Sequence, residues 1–141
     1  MTDGRILLMS KLMSLKDAIS KHIHNGDSLY ASGFTHLIPF AAGHEIIRQE
    51  FKDLVLARAT PDLIYDQMVA AGCARKVIFS YMGNPGVGSL RRVRAAIETG
   101  KLAWEEYSHF SMISRLQAGA SEVPFMPMKD TGASDLAEQN S

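Results

Sequence analysis

Glycine follows two segments of this sequence that have strand character. Gly33 comes after residues 27–32, and three more glycines lie within residues 83–88, after the segment 77–81. Glycine lets a backbone approach a ligand closely and expose its N–H groups to phosphate or a developing oxyanion. The second loop has the spacing G-x-x-G-x-G, which is neither the dinucleotide fingerprint nor a P-loop. A ligand site and ordinary turn chemistry therefore both remain open for these loops.

Other side chains with catalytic potential form no known motif. The histidines fit no zinc-binding spacing, and the two that are closest in sequence would point to different faces of a helix. They are His22, His24, His36, His44 and His109. Glu105 and Glu106 would lie on opposite sides of a strand, so their carboxylates cannot converge for acid–base chemistry. We predict no catalytic residue and no metal site within this chain.

Three arginines, Arg91, Arg92 and Arg94, lie on the helix predicted after the second glycine loop. Such a group is often a solvated helix face. It could also contact phosphate groups or an acidic partner surface, because guanidinium groups bind such anions strongly. The sequence leaves both interpretations open.

Composition indicates a soluble protein of one domain, residues 1–141. Lys+Arg and Asp+Glu balance at 15 each, so no overall field favours nucleic acid or a membrane as partner. The single cysteine, Cys73, cannot form an internal disulfide and fits a reducing cytoplasm. No apolar run approaches the ~20 residues of a membrane helix. We predict a cytoplasmic location, with flexible segments at residues 1–10 and 129–141.

Strand and helix patterns alternate along the chain. Strands are predicted at 27–32, 54–57, 77–81 and 102–107, and helices at 15–24, 39–51, 62–71, 89–99 and 109–118. Ser14 with Asp17 is a typical helix start, Pro39 suits a first turn, and Gly72 and Gly100 suit helix ends. The alternation predicts an α/β fold with a parallel sheet and helices on both faces. Ligands of such sheets bind beyond the carboxyl ends of the strands.

Several short motifs occur in the order and spacing found in α-subunits of family I CoA-transferases, of the glutaconate CoA-transferase type. The resemblance runs from about Lys11 to Asn140. It is carried by the segments 13–19 with 25–27, 31–35 with Pro39, 80–84, 96–102, 105–108, 115–120, 123–127 and 132–136. In the second of these, Ala31-Ser32-Gly33-Phe34-Thr35 is similar to the GGF loop of the family, with Ser32 in the place of its first glycine.

The resemblance implies a subunit that works with a β-subunit to move CoA between an acyl-CoA and a carboxylic acid. In that family the nucleophile is a glutamate of the β-subunit or of the second half of a fused chain, which forms an anhydride and then a glutamyl-CoA thioester. The motif that carries this glutamate does not occur here, so the isolated chain is expected to be inactive. CoA thioester is implied as a substrate, and no permanently bound cofactor is expected.

The resemblance also implies which residues face the substrate. Gly33, Phe34 and Thr35 are the first candidates for the acyl pocket and its backbone donors at the αβ interface. Gly83 and Asn84 are the next candidates. An oxyanion donor of this kind stabilises a transition state by about 2.7–4 kcal/mol.

Family α-subunits are well over two hundred residues long, so the chain is expected to be the N-terminal part of one. We expect sheet edges or an apolar face to be unprotected as a result. Two other functions stay open. The chain could belong to a hydrolase of the same fold that opens a cyclic CoA thioester, or it could be a non-catalytic module that binds a CoA ester or a partner chain. The sequence does not identify the acyl donor or acceptor.

Overall fold

A computed structural model describes residues 11–33, 37–84, 86, 88–129 and 135–140 of the chain. The strands in these residues are β1 (Ser28–Tyr30), β2 (Leu54–Ala57), β3 (Ala74–Phe79) and β4 (Ala103–Glu106). The helices are α1 (Leu15–His22), α2 (Phe40–Arg48), α3 (Leu63–Ala70), α4 (Arg91–Glu98), α5 (His109–Ala120) and α6 (Leu136–Gln139).

The four strands form one parallel sheet in the order β1-β2-β3-β4. Each neighbouring pair is joined through one helix, which is the connection that parallel strands require. Leu56 of β2 is in register with Leu29 of β1 and Val77 of β3. The sheet and its helices confirm the predicted α/β fold.

The main core lies between the sheet and helices α2, α3 and α4, which pack side by side. The sheet contributes Leu56, Val77 and Phe79 to this core. Leu54 to Leu56 are buried throughout, as expected for a short apolar strand covered on both faces. The opposite face carries the ion pair between Lys76 of β3 and Glu105 of β4.

Polar caps fix several helix boundaries that the sequence predicts. The Ser14 hydroxyl accepts a hydrogen bond from the Asp17 N–H at 3.1 Å and so caps α1. The N–H of Leu63 donates to the Asp62 carboxylate at 2.6 Å, which caps α3. Gly72 and Gly100 follow the ends of α3 and α4 with φ of 71° and 68°. These boundaries confirm the capping argument.

Several predicted boundaries are wrong. Helix α2 ends at Arg48 and not at residue 51, because Glu50 already has a φ of 59°. Helix α1 ends at His22, because Ile23 is already extended, and Gly26 belongs to a later turn with φ 89°. Strand β3 runs from Ala74 to Phe79 and not from 77 to 81. Arg75 and Lys76 near its start are charged, and Lys76 is accommodated by its ion pair with Glu105. The chain then leaves the sheet, where the N–H groups of residues 80 and 81 both donate to the carbonyl of Ala59 at 3.0 Å.

Helix α5 exposes apolar side chains and buries small polar ones. Phe110 and Ile113 are 58% and 57% exposed, whereas Ser111 and Ser114 are buried. Phe110 and Ile113 therefore form an exposed apolar strip along α5. Beside it, the amide of Asn140 bonds to both the N–H and the carbonyl of Glu106, at 3.2 and 2.6 Å. Both backbone polar groups of Glu106 on the open edge of β4 are thus capped by one side chain.

Cys73 lies in the core just before β3 and is 1% exposed. Burial raises the pKa of its thiol, and the nearby Lys52 ammonium only partly opposes that effect. In the described part of the chain, no helix is both long and apolar enough to cross a membrane.

Candidate functional site

Polar groups gather where the parallel strands end. We name the residues 31–39 between β1 and α2 the β1 loop, and the residues 80–90 between β3 and α4 the β3 loop. Arg58 follows β2, and Ser108 with His109 follows β4. All of these positions lie at the carboxyl edge of the sheet, which is where open α/β sheets bind ligands.

Gly33 is required by the geometry of the β1 loop. Its φ is 137°, and a Cβ atom placed there would lie 2.1 Å from the carbonyl oxygen of Leu37. Two parts of the loop therefore approach so closely that no larger residue fits without rearrangement. The other first candidates, Phe34 and Thr35, lie outside the described residues, as does His36.

Arg58 anchors the β1 loop through its side chain, and it is not among the residues predicted from the sequence. Its side chain is only 4% exposed, and its Nη2 donates a hydrogen bond to the Gly33 carbonyl. The backbone N–H of Arg58 donates to the Ile78 carbonyl at 2.9 Å, which holds the residue beside β3. Its Nη1 is buried and has no hydrogen-bond partner among the described residues. The one available signal is an arginine directly after the apolar run 54–57.

Tyr65 ties the ends of β1 and β2 together. Its hydroxyl donates to the Ala57 carbonyl at 2.8 Å and accepts from the Ala31 N–H at 3.2 Å. Burial raises the pKa of this phenol far above its usual value, against the opposing effects of the Ala31 hydrogen bond and the Arg58 charge. The hydroxyl stays protonated and acts as a structural bridge at the carboxyl edge.

The β3 loop uses its own hydrogen-bonding groups internally. The N–H groups of Asn84 and Gly88 donate to each other's carbonyls at 2.8 and 2.7 Å. The Asn84 side chain accepts from the Gly86 N–H at 2.8 Å and donates to the Asp62 carboxylate at 2.9 Å. Gly83 is buried beside Tyr81. These contacts make Asn84 a hub of the loop, and they leave the N–H groups at 84, 86 and 88 engaged.

The start of α4, which follows the β3 loop, is capped by a carboxylate of the protein itself. The carboxylate of Asp66 accepts hydrogen bonds from the N–H groups of Arg92 and Val93, at 2.8 and 3.0 Å. An acidic group at this position stabilises the helix through its free amides and its dipole. Arg91, Arg92 and Arg94 are exposed on α4, as a solvated helix face would be.

Histidines and carboxylates at the described positions show no metal geometry. No group of three or more such side chains, with cysteine included, comes together there. His109 contacts the Thr60 hydroxyl at 3.2 Å, and His44 contacts the Gln67 amide at 2.7 Å. The first of these contacts joins the ends of β2 and β4 at the carboxyl edge.

Glu105 is the centre of a charged cluster on the outer face of the sheet. The Lys76 ammonium lowers the pKa of this carboxyl, burial opposes that effect, and the Tyr107 hydroxyl adds a hydrogen bond at 2.8 Å. The Arg115 guanidinium lies 4.4 Å from the centre of the Tyr107 ring. Tyr107 and Arg115 also line an open groove of about 670 Å³ between α5 and the segment 123–128. The Glu105 carboxylate is therefore engaged in structural contacts.

The sheet, its helix crossovers and the glycine loop after β1 define a class of protein. The chain belongs to the coenzyme A transferase family, whose model matches residues 12–140. It is 50% identical over 135 residues to the A-subunit of 3-oxoadipate CoA-transferase from Pseudomonas knackmussii, covering 94% of this chain and 48% of that protein. It is 38% identical over 133 residues to the A-subunit of glutaconate CoA-transferase from Acidaminococcus fermentans, covering 93% of this chain and 42% of that protein.

Solved structures show the same relationship. The crystal structure of glutaconate coenzyme A-transferase from Acidaminococcus fermentans matches with a TM-score of 0.87 and 36% identity, covering 92% of this chain and 41% of that chain. A variant of the decarboxylase AibA/AibB matches with a TM-score of 0.82 and 32% identity, covering 90% of this chain and 50% of that chain. The chain thus spans about half the length, or less, of these relatives.

Proposed function

We propose that this chain acts as the α-subunit, or as part of the α-subunit, of a heteromeric CoA-transferase. The observation that carries the proposal is its 50% identity to the A-subunit of a CoA-transferase over 94% of its own length. The enzyme would move CoA between an acyl-CoA and a carboxylic acid, with CoA thioester as substrate and without a resident cofactor. We place it in the cytoplasm, in agreement with its free, buried cysteine.

The nucleophile in this proposal is a glutamate of the partner β-subunit. Its carboxylate attacks the thioester carbonyl and expels CoA as a thiolate, which then attacks the anhydride to give a glutamyl-CoA thioester and release the first acid. The chain described above would form one wall of the acyl pocket through Gly33, Phe34 and Thr35, and then Gly83 and Asn84. The close backbone approach at Gly33 supports this role for the β1 loop.

A dicarboxylic acid is the proposed substrate class. The two relatives are named for 3-oxoadipate and glutaconate, and both of these acids carry two carboxylates. A CoA ester at one end leaves the other carboxylate free and negatively charged at neutral pH. The pocket would then have to bind one charged group as well as the reacting carbonyl.

Labelled CoA exchange tests the need for two subunits. We expect no exchange between acyl-CoA and acid with the purified chain alone, and exchange after the β-subunit is added. A β-subunit whose nucleophilic glutamate is changed to glutamine serves as the control and should give no exchange. Robust exchange by the chain alone, lost on mutation of one of its own carboxylates, would overturn the assignment.

A second measurement separates transfer from the other reactions found on this fold. Acyl-CoA is supplied to the αβ complex with and without an acceptor acid, and thioester, free acid and carbon dioxide are followed. A transferase consumes the thioester only with acceptor and forms an adduct on the β-subunit that hydroxylamine traps. Equal consumption without acceptor would favour the hydrolase, and release of carbon dioxide would favour a decarboxylase.

A further inference from the structure

Arg58 holds a buried positive charge that no described carboxylate balances. A guanidinium stays protonated in proteins, so the charge cannot be relieved by loss of a proton. The ion pairs among the described residues lie elsewhere, at His24–Asp27, Arg48–Glu45 and Lys76–Glu105. Burying a charge without a partner is unfavourable, and a buried donor without an acceptor is rare in native proteins. The arrangement indicates that a further acceptor belongs beside Arg58.

The other buried polar groups at this edge are already engaged. The Asp62 carboxylate accepts from the Leu63 N–H and from the Asn84 amide. The Tyr65 hydroxyl bridges the ends of β1 and β2. Of the two terminal nitrogens of Arg58, Nη2 is bound to the Gly33 carbonyl, and Nη1 has no partner among the described residues. One fixed donor is thus held next to the candidate acyl loop.

We infer that Arg58 binds a carboxylate at the carboxyl edge of the sheet through its Nη1–H, as a specificity-determining residue. The inference rests on the proposed function, because the free carboxylate of a dicarboxylic substrate is the source that this function supplies. A carboxylate of the partner subunit is the second source with the same chemistry. Arginine suits either one, since its planar fork matches carboxylate geometry and is less strongly hydrated than an ammonium.

Kinetics with two different acceptor acids distinguish the two sources of the carboxylate. Arg58→Gln is measured in the αβ complex with glutarate and with valerate as acceptors, which share one carbon chain but differ by one carboxylate. If the substrate is the source, kcat/KM falls about 10- to 100-fold more for glutarate than for valerate, the usual effect of a hydrogen bond to a charged group. If the partner is the source, kcat falls equally for both acids and the affinity for the β-subunit falls as well. An equal fall in kcat with unchanged affinity would show only the loss of the anchor on the Gly33 carbonyl, and it would overturn the inference. Unchanged kinetics with both acids overturn the inference.

Two further variants keep the test independent of folding and of general charge. Arg58→Lys keeps the charge but loses the fork, so it should give a smaller loss in the same direction, and it replaces Arg58→Gln if that variant does not fold. Arg75→Gln is the matched control, because Arg75 is exposed near the amino end of β3, where its side chain donates to the Asp53 carbonyl at 3.1 Å. It should leave both acids unaffected.

Thermal unfolding gives a readout that does not depend on transfer activity. Glutarate should raise the Tm of the wild-type complex more than valerate does, and this difference should vanish in Arg58→Gln. If the wild-type complex transfers no CoA, the proposed function fails, while this measurement still decides the role of Arg58. In that case, an equal glutarate shift in both proteins, or none in the wild type, would overturn the carboxylate site.

Discussion

The β1 and β3 loops look alike in sequence and differ in how the protein holds them. Both follow a parallel strand, both contain glycine, and both lie at the carboxyl edge of the sheet. The β3 loop closes on itself through Asn84 and Gly88, and the helix after it is capped by Asp66. The β1 loop is held by Arg58, whose second terminal nitrogen is a buried donor without a described partner. Glycine at a strand end thus indicates a tight backbone in both loops, and the hydrogen bonds show how differently the two backbones are held.

Substitution of Gly33 should have the largest effect. Gly33→Ala places a methyl group against the Leu37 carbonyl at a backbone angle unfavourable for alanine, so we expect a loss of about 3 kcal/mol in the free energy of unfolding. Gly88→Ala is the control, because φ is 87° there but no atom lies within 4 Å, and about 1 kcal/mol should be lost. Denaturant unfolding measures both changes, and equal losses would show that the close approach at Gly33 is not a constraint.

The Gly33→Ala variant also tests whether the β1 loop contributes to catalysis. In the αβ complex kcat/KM should fall at least tenfold, about 1.4 kcal/mol, while affinity for the β-subunit changes little. Full activity in the folded variant would show that the β1 loop is only a turn.

Substitution of Asn84 should cost stability and should lower activity less than substitution of Gly33 does. Asn84→Ala removes the bonds to Gly86 and Asp62, so we expect a loss of about 1–2 kcal/mol in the free energy of unfolding. Asn25→Ala is the matched control, since Asn25 accepts one hydrogen bond from the Lys52 N–H, at 2.8 Å, far from the carboxyl edge. In folded enzyme, Asn84→Ala should lower kcat/KM by less than tenfold, because its backbone N–H is already engaged, and Asn25→Ala should leave kcat/KM unchanged. A loss as large as that of the Gly33 variant would place the β3 loop at the substrate as directly as the β1 loop, and no loss at all would remove Asn84 from the proposed pocket.

The smallest expected effect is the contribution of the Lys76–Glu105 ion pair, which lies outside both loops, to the pH dependence of the free energy of unfolding. Lys76 lowers the pKa of Glu105 below its ordinary value of 4.5 in the folded state. The unfolded chain therefore binds the proton more tightly, so the contribution is present above pH 4.5 and is lost as pH falls through the folded pKa. Because the pair is partly exposed, we expect less than about 1 kcal/mol. Glu105→Gln should flatten the stability curve below pH 4.5, and an unchanged curve would remove the pair as its cause.

Local sequence signals are sufficient for most of the fold. The apolar run Leu54–Ala57 predicts β2 with its observed bounds, and the hydroxyl of Ser14 predicts the start of α1. The start of β3 escapes prediction because Lys76 is stabilised by Glu105, which lies on the neighbouring strand and is distant in sequence. The orientation of α5 is equally unreadable, since Phe110 is exposed while Ser111 is buried.

The candidate site is less accessible from the sequence. Gly33 can be proposed from its place after a strand, and its crowding against Leu37 agrees with a position where glycine is needed. Arg58 escapes notice because a charged residue after a strand is usually exposed, and its burial depends on how the β1 loop lies over it. The engagement of the Asn84 side chain with Asp62 likewise depends on two segments that meet only in the folded chain.

Because Cys73 is buried and is the one thiol of the chain, the rate at which it is chemically labelled reports how often the core opens. A thiol reagent in solvent reacts only with an accessible thiolate, so modification must wait until α3 and β3 separate. When closing is faster than reaction, the labelling rate equals the intrinsic rate multiplied by the opening equilibrium constant. Each 1.4 kcal/mol of opening free energy then slows labelling about tenfold. Labelling rates measured with and without the β-subunit would give the change in the opening free energy of this core on assembly.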